Sequence, residues 1–142
     1  QAECINGDAQ YLPFDSDSFD TIVSFETMEH IPDIHSYLRE LRRVSKDGSK
    51  IFVSVPYDQD LDRNSQTQRK TYPHVHSFDF KDIKSLTEEY FNQESIGFYS
   101  QRYPQKSIPM SRISSIPDSI SKIESSKSLN SNTNALLIMI ER

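Results

Sequence analysis

Short apolar runs punctuate the first part of the chain. Residues 19–25 and 51–55 are two such runs, and the second ends at Pro56. Runs of this length and composition predict strands that are covered on both faces of a sheet. A weaker candidate, residues 2–6, stops at the turn signal Gly7-Asp8, so we expect a short strand there as well.

Between the two stronger strand candidates lies a stretch with helical periodicity. Its apolar residues recur three and four positions apart and form one stripe, which consists of Ile34, Tyr37, Leu38, Leu41 and Val44. Such a stripe predicts an amphipathic helix that buries one side. Asp33 is predicted to cap the start of this helix, and Gly48 to mark its end.

The middle of the chain continues the alternation of helix and strand. Residues 57–73 are polar and predict a long loop. Asp79 or Ser77 can cap a further helix that begins near Phe80. Residues 95–100 predict a third strand, which follows that helix.

The carboxyl-terminal part combines a polar segment with a strong apolar run. Residues 105–133 are rich in Ser, Pro, Asn and Lys and predict a flexible insertion, with a weak helix at 116–123. Residues 134–141 carry polar groups only at their ends. This second pattern predicts a strand in the middle of a sheet.

The order of these elements predicts an α/β protein. Strands that alternate with helices favour a parallel sheet with helices on both faces. The last two predicted strands have no helix between them, so we expect an antiparallel hairpin at one side of that sheet. A chain of 142 residues is expected to form one hydrophobic core.

Composition narrows the class of protein without identifying it. The formal net charge of -5 argues against the basic face that nucleic-acid binding usually requires. Cys4 is the only cysteine in the sequence. No disulfide can form within the chain, and a reducing, cytoplasmic location is expected. No apolar run approaches the roughly 20 residues that span a bilayer.

Two polar segments follow predicted strands, where ligands usually bind in an open α/β sheet. The first is Gly7-Asp8-Ala9-Gln10. The carboxylate of Asp8 can accept hydrogen bonds from an exocyclic amine or a ribose hydroxyl. Ala9 is small enough for a planar ring to lie beside the backbone. The alternative interpretation is that Gly-Asp serves only as a turn.

The second segment, Ser24-Phe25-Glu26-Thr27-Met28-Glu29-His30, places two carboxylates and an imidazole directly after a buried strand. Glu26, Glu29 and His30 would project from one side of a helical turn. Together they can bind a divalent cation or supply a general base. The alternative is a structural ion pair at Glu29, with His30 packed against the loop.

Three blocks in this order resemble the class I S-adenosylmethionine-dependent methyltransferase family. They are Gly7-Asp8-Ala9-x-x-Leu12-Pro13-Phe14, then Phe19-Asp20-Thr21-Ile22-Val23-Ser24-Phe25-Glu26-x-x-Glu29-His30-Ile31, then Leu38-x-Glu40-x-x-Arg43-Val44-Ser45-Lys46-x-Gly48. The resemblance implies a Rossmann-like fold whose mostly parallel sheet ends in an antiparallel carboxyl-terminal hairpin. It also implies S-adenosylmethionine as the cofactor.

The resemblance further implies roles for individual residues. Asp8 would contact the adenine amino group, and Ala9 would offer its backbone amide to the ring. Ser24 and Phe25 would line the pocket where the methionine end of the cofactor meets the substrate.

Two motifs of the family have no counterpart in this sequence, namely the glycine-rich loop and the acidic residue that binds the ribose. The chain has three glycines, and none stands in a Gly-x-Gly arrangement. Both motifs are expected to lie before Gln1. Residues 1–142 are therefore interpreted as the carboxyl-terminal part of a single methyltransferase domain with its first strands missing, and cofactor binding by this chain alone is expected to be weak.

The motif Glu26-x-x-Glu29-His30 resembles one found in a subset of the family. This subset includes ubiquinone-type O-methyltransferases, many sugar and natural-product methyltransferases, and small-RNA 2′-O-methyltransferases. In the RNA enzymes two glutamates and two histidines hold Mg²⁺, and the matching set here is Glu26, Glu29, His30 and His76. The alternative is that His76 caps or orients the following helix, with His74 a loop residue. Without a metal, His30 is the expected general base, with Glu29 as the second catalytic residue.

The sequence thus predicts a methyltransferase that modifies an oxygen of a small-molecule or sugar-type acceptor. A metal-assisted RNA 2′-O-methyltransferase is one alternative, and the absence of a Lys- or Arg-rich track argues against it. A non-catalytic α/β protein is a second, and another nucleotide-binding α/β protein such as a dehydrogenase is a third. No feature of the sequence predicts the oligomeric state.

Overall fold

The computed structural model describes residues 2–57, 74–101, 120–125, 129, 133 and 135–142. Within these residues five strands form one sheet with two α-helices. The strands are β1 (Phe19–Phe25), β2 (Ser45–Pro56), β3 (Ile96–Gln101), β4 (Ile120–Ile123) and β5 (Ala135–Glu141). The α-helices are α1 (Ile34–Val44) and α2 (Phe80–Tyr90), and short 3-10 turns cover Met28–His30 and Gln93–Ser95.

The sheet is mixed, with the strand order β1-β2-β5-β3-β4. β1 and β2 are parallel, whereas β5 is antiparallel to both of its neighbours, β2 and β3. β4 is antiparallel to β3 and forms the outer strand of the carboxyl-terminal half. Consequently β1, β2 and β3 point in the same direction, and their carboxyl ends lie at one edge of the sheet. The predicted α/β class is confirmed, and the last apolar run lies in the middle of the sheet as expected.

Helix α1 starts where the sequence predicts and ends earlier. The Asp33 carboxylate accepts hydrogen bonds from Ser36 N at 3.1 Å and Ser36 Oγ at 2.6 Å, which caps the first turn. The helix ends at Val44, so the predicted end at Gly48 is wrong. Gly48 instead lies within β2 with φ +75°, a left-handed conformation that costs glycine little.

Both α-helices cover the same face of the sheet. Tyr37 of α1 bonds to Ser24 of β1, which lies opposite Val53 of β2 in the register. Phe80 of α2 packs edge-on against Phe98 of β3 with ring centroids 5.3 Å apart. Phe98 and Val53 both lie opposite Ile138 of β5, so all of these residues point to one side. This side holds the main apolar core.

The opposite face of β1 is open in the described part of the molecule. Val23 and Phe25 are 58% and 55% exposed. Val23 lies opposite Phe52, and Phe52 lies opposite Met139, and both of these neighbours are half-buried. The prediction that β1 is covered on both faces is therefore wrong for the described residues, because both described α-helices lie on the other side.

Two weaker predictions from the sequence are also wrong. Residues 2–6 form no strand, and Ile5, the one large aliphatic residue there, is 53% exposed. In the predicted helix at 116–123, Ile120–Ile123 form strand β4, because these residues pair with β3. The predicted loop at 57–73 lies outside the described residues apart from Tyr57. Most of the predicted insertion at 105–133 lies outside them as well.

Membrane spanning was assessed on the described helices. Each of them is too short and too polar to cross a bilayer.

Candidate active site

The chain leaves β1 through a strained residue. Glu26 has φ +49°, in the left-handed region that costs a non-glycine residue about 1–3 kcal/mol. Two contacts with the end of β2 hold this conformation. Glu26 N donates to Ser54 O at 3.1 Å, and Ser54 Oγ donates to Glu26 Oε1 at 2.9 Å. This turn directs the next residues, Met28–His30, back under the carboxyl edge of the sheet.

Glu29 lies buried in the 3-10 turn that follows. Its relative exposure is 1%, and within the described residues neither carboxylate oxygen receives a hydrogen bond. Burial raises the pKa of Glu29 above its ordinary value near 4.5, and the negative charge of Glu26 adds to that rise. A buried carboxylate without a donor is uncommon and suggests a functional role.

Two imidazoles lie beside this carboxylate. His30 Nε2 is 3.7 Å from Glu29 Oε1, and the His30 ring meets the His74 ring edge-on with centroids 4.7 Å apart. The backbone of Glu29 itself holds the segment that carries His74. Val75 N and His76 N both donate to Glu29 O, at 2.9 Å and 3.1 Å. Ligand atoms of Glu29, His30 and His74 lie within 4.8 Å of one another.

The other two residues of the predicted metal set have different partners. The carboxylate of Glu26 accepts from Ser54, as described above. His76 Nε2 lies 3.0 Å from Ile31 O, and the His76 ring stacks on Phe78 at 5.9 Å. The structure thus joins Glu29 and His30 with His74, whereas the family resemblance implied His76.

The predicted adenine-side residue Asp8 is exposed at a tight turn. Gln10 N donates to Asp8 Oδ1 at 2.9 Å, and Gln10 Nε2 donates to both carboxylate oxygens at 3.0 and 3.2 Å. These bonds hold the pKa of Asp8 below its usual value of 3.8, so the side chain is ionised at neutral pH. Gln10 Oε1 in turn accepts from Asp33 N at 2.9 Å, which connects this turn to the start of α1.

Two of the other predicted cofactor residues line a common cavity. Ala9 and Ser24 contribute to a mainly apolar cavity of about 330 Å³, together with Leu12, Phe14 and Tyr37. This size is within the range of small-ligand pockets. Phe25, the remaining cofactor candidate, does not line this cavity and is exposed at the end of β1.

Tyr37 sets the orientation of Ser24. The Tyr37 hydroxyl donates to Ser24 Oγ at 2.6 Å. Burial raises the pKa of Tyr37 to about 12, so the phenol stays protonated and remains a donor throughout the physiological range. The serine hydroxyl is left to donate toward the cavity.

A salt bridge on α1 between Glu40 and Arg43 fixes the loop with Leu12 and Phe14, which forms one wall of the cavity. The guanidinium contacts both Glu40 oxygens, at 2.7 and 2.8 Å. Glu40 Oε2 also accepts from Leu12 N at 2.7 Å, and Arg43 donates to Leu12 O at 3.1 Å and to Phe14 O at 2.8 Å. The sequence predicted no partner for Arg43 in this loop, since Leu12 and Phe14 lie far from it along the chain.

Comparisons with known proteins find methyltransferases among the relatives of this chain. Residues 1–53 match a family model described as a methyltransferase domain. The demethylmenaquinone methyltransferase of Bacillus subtilis is 39% identical over 51 residues, which are 36% of this chain and 22% of that protein. The ajmaline N-methyltransferase of Rauvolfia serpentina is 31% identical over 61 residues, 43% of this chain and 21% of that protein. The chain thus spans about a fifth of the length of these curated relatives.

Solved structures show the same fold at low sequence identity. A SAM-dependent methyltransferase of Thermotoga maritima, described as a possible histamine N-methyltransferase, superposes with a TM-score of 0.72 at 16% identity. The superposition covers 96% of this chain and 62% of that one. A putative methyltransferase of Bacillus halodurans gives a TM-score of 0.59 at 17% identity, over 95% of this chain and 69% of the other.

These structural matches define the chain as a Rossmann-like α/β protein. The match over residues 1–53 contains Asp8, Ala9, Ser24, Glu29 and His30. This match, the curated relatives and the shared fold support the resemblance to the class I S-adenosylmethionine-dependent methyltransferase family that the sequence predicts.

Proposed function

We propose that the protein is an S-adenosylmethionine-dependent methyltransferase that modifies a hydroxyl group of a small-molecule or sugar-type acceptor. One observation supports this most directly. Within the segment that matches a methyltransferase domain, Ser24 of β1 and Ala9 line one cavity. Glu29 and His30 come directly after β1, at the carboxyl edge of the sheet.

Ala9 and Ser24 line the cavity, and Asp8 precedes Ala9 in the sequence. Asp8 and Ala9 fit the adenine side of this cofactor, and Ser24 fits the side where its methionine end meets the substrate. Asp8 is ionised and exposed, so it can accept a hydrogen bond from an exocyclic amine. Ala9 adds no bulk beside the ring position, and Ser24 offers a hydroxyl that Tyr37 has oriented. When bound, S-adenosylmethionine supplies an electrophilic methyl group on a positively charged sulfur.

His30 is the proposed general base. An acceptor hydroxyl would transfer its proton to the imidazole of His30, and the Glu29 carboxylate at 3.7 Å would stabilise the resulting imidazolium. Proton removal by a positioned base contributes about 10²–10⁴-fold to a rate. The walls of the cavity would hold the acceptor in line with the methyl group, which supplies much of the remaining rate.

The presence of a base favours oxygen as the acceptor atom. An amine is already nucleophilic when neutral, whereas an alcohol becomes a good nucleophile only as its proton leaves. The names of the relatives do not decide this point, since they include an N-methyltransferase and a sterol 4-C-methyltransferase. The net charge of -5 favours a small acceptor over a nucleic acid.

Calorimetry with S-adenosylmethionine tests the proposal. We expect weak but saturable binding by residues 1–142, and at least tenfold weaker binding by Asp8→Ala. His30→Asn should retain cofactor affinity and lose about 10²-fold in kcat toward a hydroxyl acceptor, measured as S-adenosylhomocysteine release. His35→Asn, on the exposed side of α1, is the matched control. Absence of cofactor binding by the wild-type protein would contradict the proposal and favour a non-catalytic role.

A further inference from the structure

We infer that Glu29, His30 and His74 form a binding site for a divalent cation of the zinc type. The site combines one carboxylate with two imidazoles from two separate segments of the chain. It differs from the magnesium set suggested by the sequence, because His74 takes part and Glu26 and His76 do not.

The separations between the ligand atoms fit one ion after a small contraction. The three atoms lie within 4.8 Å of one another, and His30 Nε2 is 3.7 Å from Glu29 Oε1. With bonds of about 2.0–2.2 Å, two ligands of the same ion are at most about 4.4 Å apart. The longest separation therefore exceeds this limit by at most about 0.4 Å (4.8 − 4.4 Å).

Glu29 provides an independent reason for a cation. Its side chain is 2% exposed, and both oxygens are buried without a hydrogen-bond donor within the described residues. Buried polar atoms in folded proteins almost always have a partner, so an orphaned carboxylate indicates a missing one. In the described ligand cluster Glu29 meets the imidazoles of His30 and His74, and the negative charge of Glu26 also acts on it.

The backbone prearranges His74 for this role. Glu29 O accepts from both Val75 N and His76 N, so the residue that would bind the ion also holds the second segment. The His76 ring bonds to Ile31 O, and a parallel bridge joins Tyr57 with Phe78 further along. Supporting contacts of this kind orient ligands in metal sites.

The donor set selects the class of cation. Two imidazole nitrogens with one carboxylate oxygen suit zinc and the neighbouring transition metals, whereas Mg²⁺ prefers oxygen ligands alone. Three protein ligands leave a fourth position open. If an acceptor hydroxyl takes that position, its pKa falls and its proton can leave to water. With the ion bound, the ion would therefore activate the hydroxyl in place of His30, whose nitrogen it occupies. This last role depends on the proposed function, but the ion site itself does not.

Titration with Zn²⁺ by calorimetry tests the site. The wild-type protein should bind one ion, and Co²⁺ at the same site should develop the visible absorption of a nitrogen-coordinated ion. His74→Ala and Glu29→Gln should each weaken Zn²⁺ binding at least tenfold, whereas Mg²⁺ should not compete. His35→Ala, a histidine on the far side of α1, should bind as the wild type does.

The comparison of two neighbouring histidines decides the assignment. Loss of binding in His76→Ala with normal binding in His74→Ala would overturn it, as would the absence of saturable Zn²⁺ binding by the wild-type protein. Circular dichroism of each metal-free variant checks that the fold is retained. Zinc titrations are done without S-adenosylmethionine, and cofactor titrations with a chelator, so either proposal can fail without the other.

Discussion

Two glutamates at the carboxyl edge of the sheet are in unfavourable environments. Glu26 adopts a left-handed backbone conformation, and Glu29 is buried as an acid without a hydrogen-bond donor within the described residues. Each feature costs folding free energy. Their position directly after β1, next to two histidines, supports the roles proposed for this part of the candidate site.

The buried acid predicts a specific dependence of stability on pH. Because burial raises the pKa of Glu29, the folded protein holds this proton more tightly than the unfolded chain does. The free energy of unfolding should therefore fall, relative to Glu29→Gln, as the pH rises from about 4.5 to the raised pKa. Urea unfolding of both proteins at a series of pH values, with a chelator present, measures this difference.

The control for that series is Glu94→Gln, which replaces an exposed glutamate on the second 3-10 turn. Its curve should follow that of the wild type. If Glu29→Gln also runs parallel to the wild type at every pH, then Glu29 is not buried as an acid in solution.

Among the elements, α1 has the largest influence on the candidate site. It supplies Tyr37 to orient Ser24, Glu40 to bind the Leu12 amide, and Arg43 to bind the carbonyls of that loop. One face of the helix packs in the core, and the adjoining edge shapes the cavity. The helix is therefore both a structural element and the support of the proposed cofactor pocket.

This support predicts a local change on removal of Glu40. In Glu40→Ala the Leu12 amide loses its acceptor and should exchange with deuterium about fivefold faster, the equivalent of one hydrogen bond of about 1 kcal/mol. S-adenosylmethionine binding should weaken in parallel. Hydrogen exchange measured by NMR gives the first quantity and calorimetry the second.

A matched variant separates this local effect from a general loss of stability. Asp79→Ala removes the capping box of α2, away from the cavity, and should lower the free energy of unfolding by about 1 kcal/mol. Exchange of the Leu12 amide should stay unchanged in that variant. Faster exchange in both variants would mean that Glu40 acts only through overall stability.

Elements with a strong pattern of apolar residues could be predicted from the sequence, whereas elements that depend on pairing with a distant strand could not. The apolar stripe of α1 and the compact run in β5 follow from their own residues. By contrast, Ile120–Ile123 form a strand because β3 offers an edge, and Gly48 lies within β2 because its N–H bonds to Arg142 O. Contacts with residues far away in the sequence determine these two structures, so the local sequence cannot predict them.

The same distinction applies to the candidate site. Glu29 and His30 could be found from their position after an apolar run. His74 could not, because its approach to His30 depends on two backbone bonds to Glu29 O. Glu40 and Arg43 lie three positions apart on α1, but Leu12, which both of them bind, is 28 and 31 positions away along the chain.

At the scale of the whole molecule, the sheet has one well-covered face and one open edge. In the described residues β1 pairs only with β2, and the exposed side chains Val23 and Phe25 lie on the face that lacks a described helix. Unpaired strand edges with apolar neighbours promote association.

The open edge predicts that the chain associates as its concentration rises. Val23→Lys should shift the population toward the monomer in sedimentation or light-scattering experiments, with a change in unfolding free energy within about 0.5 kcal/mol. Ser85→Lys adds the same charge on the exposed side of α2 and should leave association unaltered. Equal effects of both variants would attribute the change to net charge alone.

The central position of β5 has a consequence for how the protein folds. β2 and β3 are not neighbours, and each is joined to the rest of the sheet through β5, which follows all other strands along the chain. During synthesis β1 and β2 can pair and pack against α1, but the five-stranded sheet cannot be completed until Ala135–Glu141 leave the ribosome. These late, long-range pairings slow the final step. Loss of the residues that form β5 would leave two separate strand pairs in place of one sheet.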